Sequence, residues 1–133
     1  MAEKPRQVFG RAVDPTKRAP PQAFSTELSP FAAKIGFADL HGKVAIISGA
    51  TRGIGKECAL TLARQGCAIV VTGKTVTATP ELPGTIHSVA AEVEALGAPA
   101  LAFRLDTGDA AQCEACVEAT IQRFGRVDIL FHN

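Results

Sequence analysis

Beyond residue 42 the sequence alternates between two apolar periods, and that alternation constrains the fold more than anything else in it. Lys43–Ser48, Ala68–Thr72, Ala100–Leu105 and Val127–Phe131 are short, β-rich apolar runs. Between them lie stripes at helical spacing: Ile54, Cys58, Ala59 and Leu62, then Ile86, Val89, Ala90, Val93 and Leu96, then Cys113, Val117, Ile121 and Phe124. Apolar strands joined through helices cross over and pair in parallel, with helices covering both faces. The expected fold is α/β, β-α-β-α-β-α-β, the N-terminal half of a doubly wound parallel sheet. Gly66 and Gly97 stand where helix-ending glycines belong. Asp109, with Gln112 three residues on, predicts a capping box at the start of the third helix. No apolar run is long enough for a spanning helix.

Residues 1–38 have a different texture. They hold five of the 8 prolines and four of the 7 phenylalanines, with no apolar period. Proline at that density interrupts both helix and ladder, so an extended Pro/Phe-rich arm is expected, ahead of a domain over 39–133. Phe9, Phe24, Phe31 and Phe37 are too many for a solvating linker, which suggests an arm lying on its own surface or a partner's. A disordered tail is the alternative. The arm has no apolar core for a secretory signal. Lys4, Arg6, Arg11, Lys17 and Arg18 give it a faint likeness to an organellar presequence, against which its prolines and acids count.

Net charge is +1, which excludes a broad field recruiting nucleic acid or an anionic membrane. The 4 cysteines, Cys58, Cys67, Cys113 and Cys116, read as reduced, buried thiols. Cys113 and Cys116 have metal-type spacing but no second pair, and on a helix they share a core-facing side. His41, His87 and His132 are scattered.

The segment Ser48-Gly49-Ala50-Thr51-Arg52-Gly53-Ile54-Gly55 joins the first strand to the first helix. Glycine there permits a tight turn, close approach of backbone to a pyrophosphate, and close packing of helix on strand. The helix N-terminus offers N–H groups and a positive dipole end to the phosphate. Flanked by strand and helix, the loop reads as a dinucleotide site. An acid gripping a ribose 2′-hydroxyl belongs at the end of the second strand, but Thr72-Gly73-Lys74 stands there. Lys74 and Arg52 can instead attract a 2′-phosphate, which favours NADP over NAD.

The loop resembles the Thr-Gly-x-x-x-Gly-x-Gly motif of the short-chain dehydrogenases/reductases, with Ser48 in the Thr position. Asp106 matches that family's adenine-contacting acid. Asp128-Ile129-Leu130-Phe131-His132-Asn133 is similar to the strand leading into its Asn-Asn-Ala-Gly motif, with His132 for the first Asn and Asn133 for the second. Lys74-Thr75 to Leu82-Pro83-Gly84-Thr85-Ile86 resembles the narrower hydroxysteroid dehydrogenase-like group. The resemblance covers 39–133 and implies a Rossmann-type fold. It also implies cofactor contacts at Ser48, Gly49, Thr51, Arg52, Gly53, Ile54, Gly55, Lys74, Asp106 and Asn133.

The family's chemistry, as the resemblance implies it, uses a Ser, a Tyr as acid/base and a Lys, all beyond its fourth strand. This sequence contains 0 Tyr, so no catalytic competence is expected of it as it stands. Three readings follow. One is the NADP(H)-binding half of an oxidoreductase acting on carbonyls or alcohols. Another is a non-catalytic structural subunit, whose partner subunits cover the fourth-strand edge (Ile129, Leu130 and Phe131) and hold the arm. The last is a sensor of NADP(H). The narrower group implies a mitochondrial matrix ahead of a peroxisome, and reduced thiols also fit cytoplasm.

Overall fold

The computed structural model describes residues 7–8, 11–12 and 40–133. Strands β1 (Gln7–Val8) and β2 (Arg11–Ala12) form a minimal antiparallel ladder, Gln7 opposite Ala12 and Val8 opposite Arg11. These four residues are the described part of the expected arm, and as strands they are extended. Their pairing falls in the proline-free stretch between Pro5 and Pro15, where no missing N–H interrupts a ladder. The rest of the arm, its phenylalanines included, lies outside the described residues.

The main body runs β3 (Val44–Ile47), α1 (Gly53–Arg64), β4 (Ala68–Gly73), α2 (Ile86–Ala95), β5 (Ala100–Arg104), α3 (Ala110–Phe124) and β6 (Ile129–Phe131). The four later strands make one parallel sheet in the order β5-β4-β3-β6. This is the Rossmann-type arrangement expected from the alternation. Every residue of β3 and β4 is buried, as strands covered on both faces must be.

Period two divides those strands between two cores. Ala45, Ile47, Ile69 and Val71 face the side covered by α1 and α2. Val44, Ile46, Ala68 and Val70 face Cys116 and Phe124 of α3. Cys67 and Cys116 are buried, while Cys58 and Cys113 are half-buried.

The expected stripe of α2 is buried at Ile86, Val89, Ala90 and Val93, whereas the buried faces of α1 and α3 are turned from theirs. In α1 the residues against the sheet are Gly55, Ala59, Leu60 and Ala63, and Ile54 is 70% exposed. Small residues four apart let the helix approach closely, whereas Ile54 sits in the first turn at an open end. In α3 the buried line is Cys116, Thr120 and Phe124, with Cys113, Val117 and Ile121 only half-buried. Thr120 tolerates burial because its hydroxyl donates to the Cys116 carbonyl at 2.7 Å. Leu96, expected in the α2 stripe, is exposed.

The capping box also falls elsewhere. Asp109 accepts from the N–H groups of Ala111 and Gln112, but the Gln112 carbonyl oxygen accepts from Asp106, not from Asp109. The reciprocal box is at Thr85 and Ser88, opening α2. At β6, Ile129 and Phe131 lean on the first core and are half-buried. Leu130, opposite Ile46 on the second face, is 69% exposed.

Candidate dinucleotide site

All four parallel strands end on the same side, and the glycine turn leaves β3 there. The turn is tied to both neighbouring strands. Ser48 donates its N–H to the Phe131 carbonyl at 3.0 Å, and Ala50 donates to the Thr72 carbonyl at 2.8 Å. Thr72, wholly buried, donates its hydroxyl to the Ile47 carbonyl at 2.7 Å. Asn133 donates its N–H to Ser48 Oγ at 2.9 Å, and His132 Nδ1 lies 3.1 Å from the same oxygen.

Two glycines set the shape of the turn. Gly49 has φ +62, a left-handed conformation that side chains disfavour. At Gly55 a Cβ would run into the Gly49 carbonyl oxygen and stand 2.9 Å from Asn133 Nδ2. The Asn133 amide therefore seats against the turn from β6, donating to the Gly49 carbonyl at 3.4 Å. From the other side, a Cβ at Gly84 would run into the Thr51 carbonyl oxygen, so the loop after β4 also closes on the turn.

What this leaves open is the start of α1. Arg52 is extended, with φ −164, and makes no side-chain bond to the first turn. A Cβ at Gly53 would meet nothing within 4 Å. Among the described residues the N–H groups of that turn thus have no side-chain cap, beside open space at the positive end of the helix dipole. A pyrophosphate fits such an end by charge and by hydrogen-bonding type. Ile54 stands exposed at its rim.

The charged residues gather at the ends of β4 and β5. Arg52 donates through Nη2 to Thr75 Oγ1 at 2.9 Å. Lys74 Nζ pairs with Asp106 Oδ2 at 2.9 Å, and Asp106 Oδ1 accepts the Gly108 N–H at 3.0 Å. The Lys74 ammonium, followed by the Gly108 N–H, holds the Asp106 carboxyl below the usual carboxylate range.

The ten expected positions therefore form two groups. Ser48, Gly49, Thr51, Gly53, Ile54, Gly55 and Asn133 make or border the turn, while Lys74 and Asp106 form an ion pair. Arg52 belongs to both, through Thr75. The sequence names Thr72, Thr75, Gly84 and Gln112 as strand-end, loop and capping residues, and gives none of them a part in the site. Gly84, in a Pro/Gly-rich loop, and Gln112, three residues after Asp109, carry local signals, but not for these contacts.

Residues 43–133 match the family described as short chain dehydrogenase. The chain is 49% identical over 94 residues to hydroxysteroid dehydrogenase-like protein 2 of Xenopus laevis, covering 71% of this chain and 22% of that protein. To the Homo sapiens protein of the same name it is 46% identical, again covering 71% of this chain and 22% of the relative. The chain thus spans about a fifth of those relatives' length. A putative dehydrogenase from Xanthomonas campestris superposes with TM-score 0.68 at 46% identity, over 71% of this chain and 35% of that one. A hydroxysteroid dehydrogenase from Escherichia coli does so with TM-score 0.62 at 37% identity, over 71% and 37%. Parallel sheet, glycine turn and these similarities converge: the chain belongs to the short-chain dehydrogenase family of oxidoreductases.

Proposed function

We propose that residues 43–133 are the NADP(H)-binding half of an oxidoreductase acting on a carbonyl or alcohol. The family generally takes nicotinamide cofactors, and the bound nicotinamide supplies the hydride. The observation that carries the finer choice is the end of β4. Where a carboxylate would accept from a ribose 2′-hydroxyl, Lys74 follows the strand directly, with the Arg52 side chain bonded to the next residue. Two cations there favour a 2′-phosphate.

This chain's residues would bind and orient. The open end of α1 would take the pyrophosphate, Ile54 would line the rim, and Asn133 would brace the glycine turn from behind. The family resemblance assigns the proton to a tyrosine, and none occurs in these 133 residues. The role proposed for them is therefore cofactor binding without proton transfer. Titration with NADPH and NADH, followed by cofactor fluorescence, tests it. NADPH should bind at least about tenfold tighter, one charge-assisted contact's worth. Equal affinities refute the NADP(H) reading.

One observation favours a second role beside the first. Leu130 is 69% exposed on the strand at one side of the sheet. An apolar strand edge of that kind is a template for pairing. We propose that further protein covers it. Concentration-independent monomers with an unprotected β6 in hydrogen exchange would refute this.

A further inference from the structure

The two cations at the end of β4 are not equivalent. Arg52 bonds a neutral partner, the Thr75 hydroxyl, and among the described residues no carboxylate pairs with it. Lys74 is held at 2.9 Å by Asp106, which offsets part of its charge toward a ligand approaching from beyond contact distance. Asp106 is itself fixed. Its Oδ1 accepts the Gly108 N–H at 3.0 Å, and its backbone N–H donates to Gln112 Oε1 at 2.9 Å, anchoring it to the first turn of α3. Arg104, at the end of β5, adds further attraction to the same carboxylate. A 2′-phosphate reaching Lys74 would therefore compete with a carboxylate that is tethered beside it.

Resting on the NADP(H) reading above, we propose that Asp106 is a specificity-determining residue. By holding Lys74 in an ion pair it limits the preference for a 2′-phosphorylated adenosine, and it leaves Arg52 to carry most of that preference. The pair is partly exposed, at 69% and 40% for the two side chains. Solvent screens it, and the expected effect is moderate, about two- to fivefold.

The test is calorimetric titration of the full chain with adenosine 2′,5′-bisphosphate and with 5′-AMP. The ratio of the two affinities is the readout, because any contact of Asp106 with the adenine cancels in it. Asp106→Asn keeps an oxygen for the Gly108 N–H and should raise the ratio about two- to fivefold, with the gain shrinking as salt is added. Lys74→Gln should lower the ratio less than Arg52→Gln does, yet abolish the gain when combined with Asp106→Asn. An unchanged or lowered ratio in Asp106→Asn overturns the proposal, as does a gain that survives Lys74→Gln. If Asp106→Asn does not fold, as judged by circular dichroism, the single variants decide. A loss in Lys74→Gln as large as that in Arg52→Gln then overturns it. Absent or equal binding of the two nucleotides by the unmutated chain overturns the NADP(H) reading itself, and this inference with it.

Discussion

Helix α2 begins under Thr85, whose hydroxyl accepts the Ser88 N–H at 3.0 Å while the Ser88 hydroxyl accepts that of Thr85 at 2.9 Å. Helix α3 begins under Asp109, which accepts at 3.0 Å from Ala111 and at 3.3 Å from Gln112. Helix α1 begins at Arg52 with no side-chain cap. All three starts carry the same unsatisfied backbone donors, so helix propensity does not explain the contrast. At α2 and α3 the chain meets the need itself, and the result is stability. At α1 it builds a turn too tight for side chains, and no described side chain caps the helix. Under the proposed function, that end is where a cofactor's pyrophosphate would supply the missing acceptor.

The change that should break this contrast most severely is Gly55→Ala. Its new Cβ meets a backbone carbonyl, which cannot swing aside as a side chain would. We expect a loss of about 2–3 kcal/mol in urea unfolding, together with loss of NADPH binding. Gly53→Ala, with open space around it and only φ +56 to strain it, should cost about 1 kcal/mol. Equal effects at the two glycines would show that close backbone approach does not define this end.

A smaller effect, and a sharper discrimination, is expected of Arg52→Asp. The extended backbone at that position suits a capping side chain, so the variant should gain about 0.5–1 kcal/mol of stability. It should also lose at least about tenfold in NADPH affinity, having exchanged an attractive charge for a repulsive one. Stability and affinity moving in the same direction would contradict the idea that α1 trades one for the other.

The smallest effects belong to the capped ends. Thr85→Ala should lose about 1 kcal/mol and leave the ratio of NADPH to NADH affinity unchanged. Asp109 adds a pH dependence. The Gln112 side-chain amide, then the Gln112 backbone N–H, hold its carboxyl below the usual value. A lowered folded-state pKa stabilises above the unfolded value, about 4, and that contribution is lost as pH falls through the folded value. Asp109→Asn should therefore weaken the fold at neutral pH and flatten its acid limb. An acid limb identical in the variant would remove Asp109 from the account.

Much of this contrast could be read from residue types alone. Thr85 and Asp109 are natural caps ahead of apolar stripes, and Arg52 in a glycine loop is not. Gln112 was legible as a capping partner, but its choice of the Asp106 N–H was not, because that choice depends on how β5 leaves the sheet. Lys74 and Asp106 were each legible as site residues. Nothing local paired them, since they meet only when β4 and β5 lie side by side, with Gly73 opposite Arg104.

The sequence by itself determined the alternation of strands and helices and the place of the glycine turn. These follow from short-range geometry: period two against period 3.6, and the left-handed φ at Gly49 and Gly53. Only the tertiary structure decided which side of each helix is buried. In α1 and α3 several apolar positions compete for one face, and small or self-satisfied residues such as Ala59 and Thr120 prevail because they permit close approach. It alone also seated Asn133 against Gly49 and Gly55 and joined Lys74 to Asp106. Both contacts join residues far apart in the chain, and strand order, which no local pattern encodes, brings them within reach.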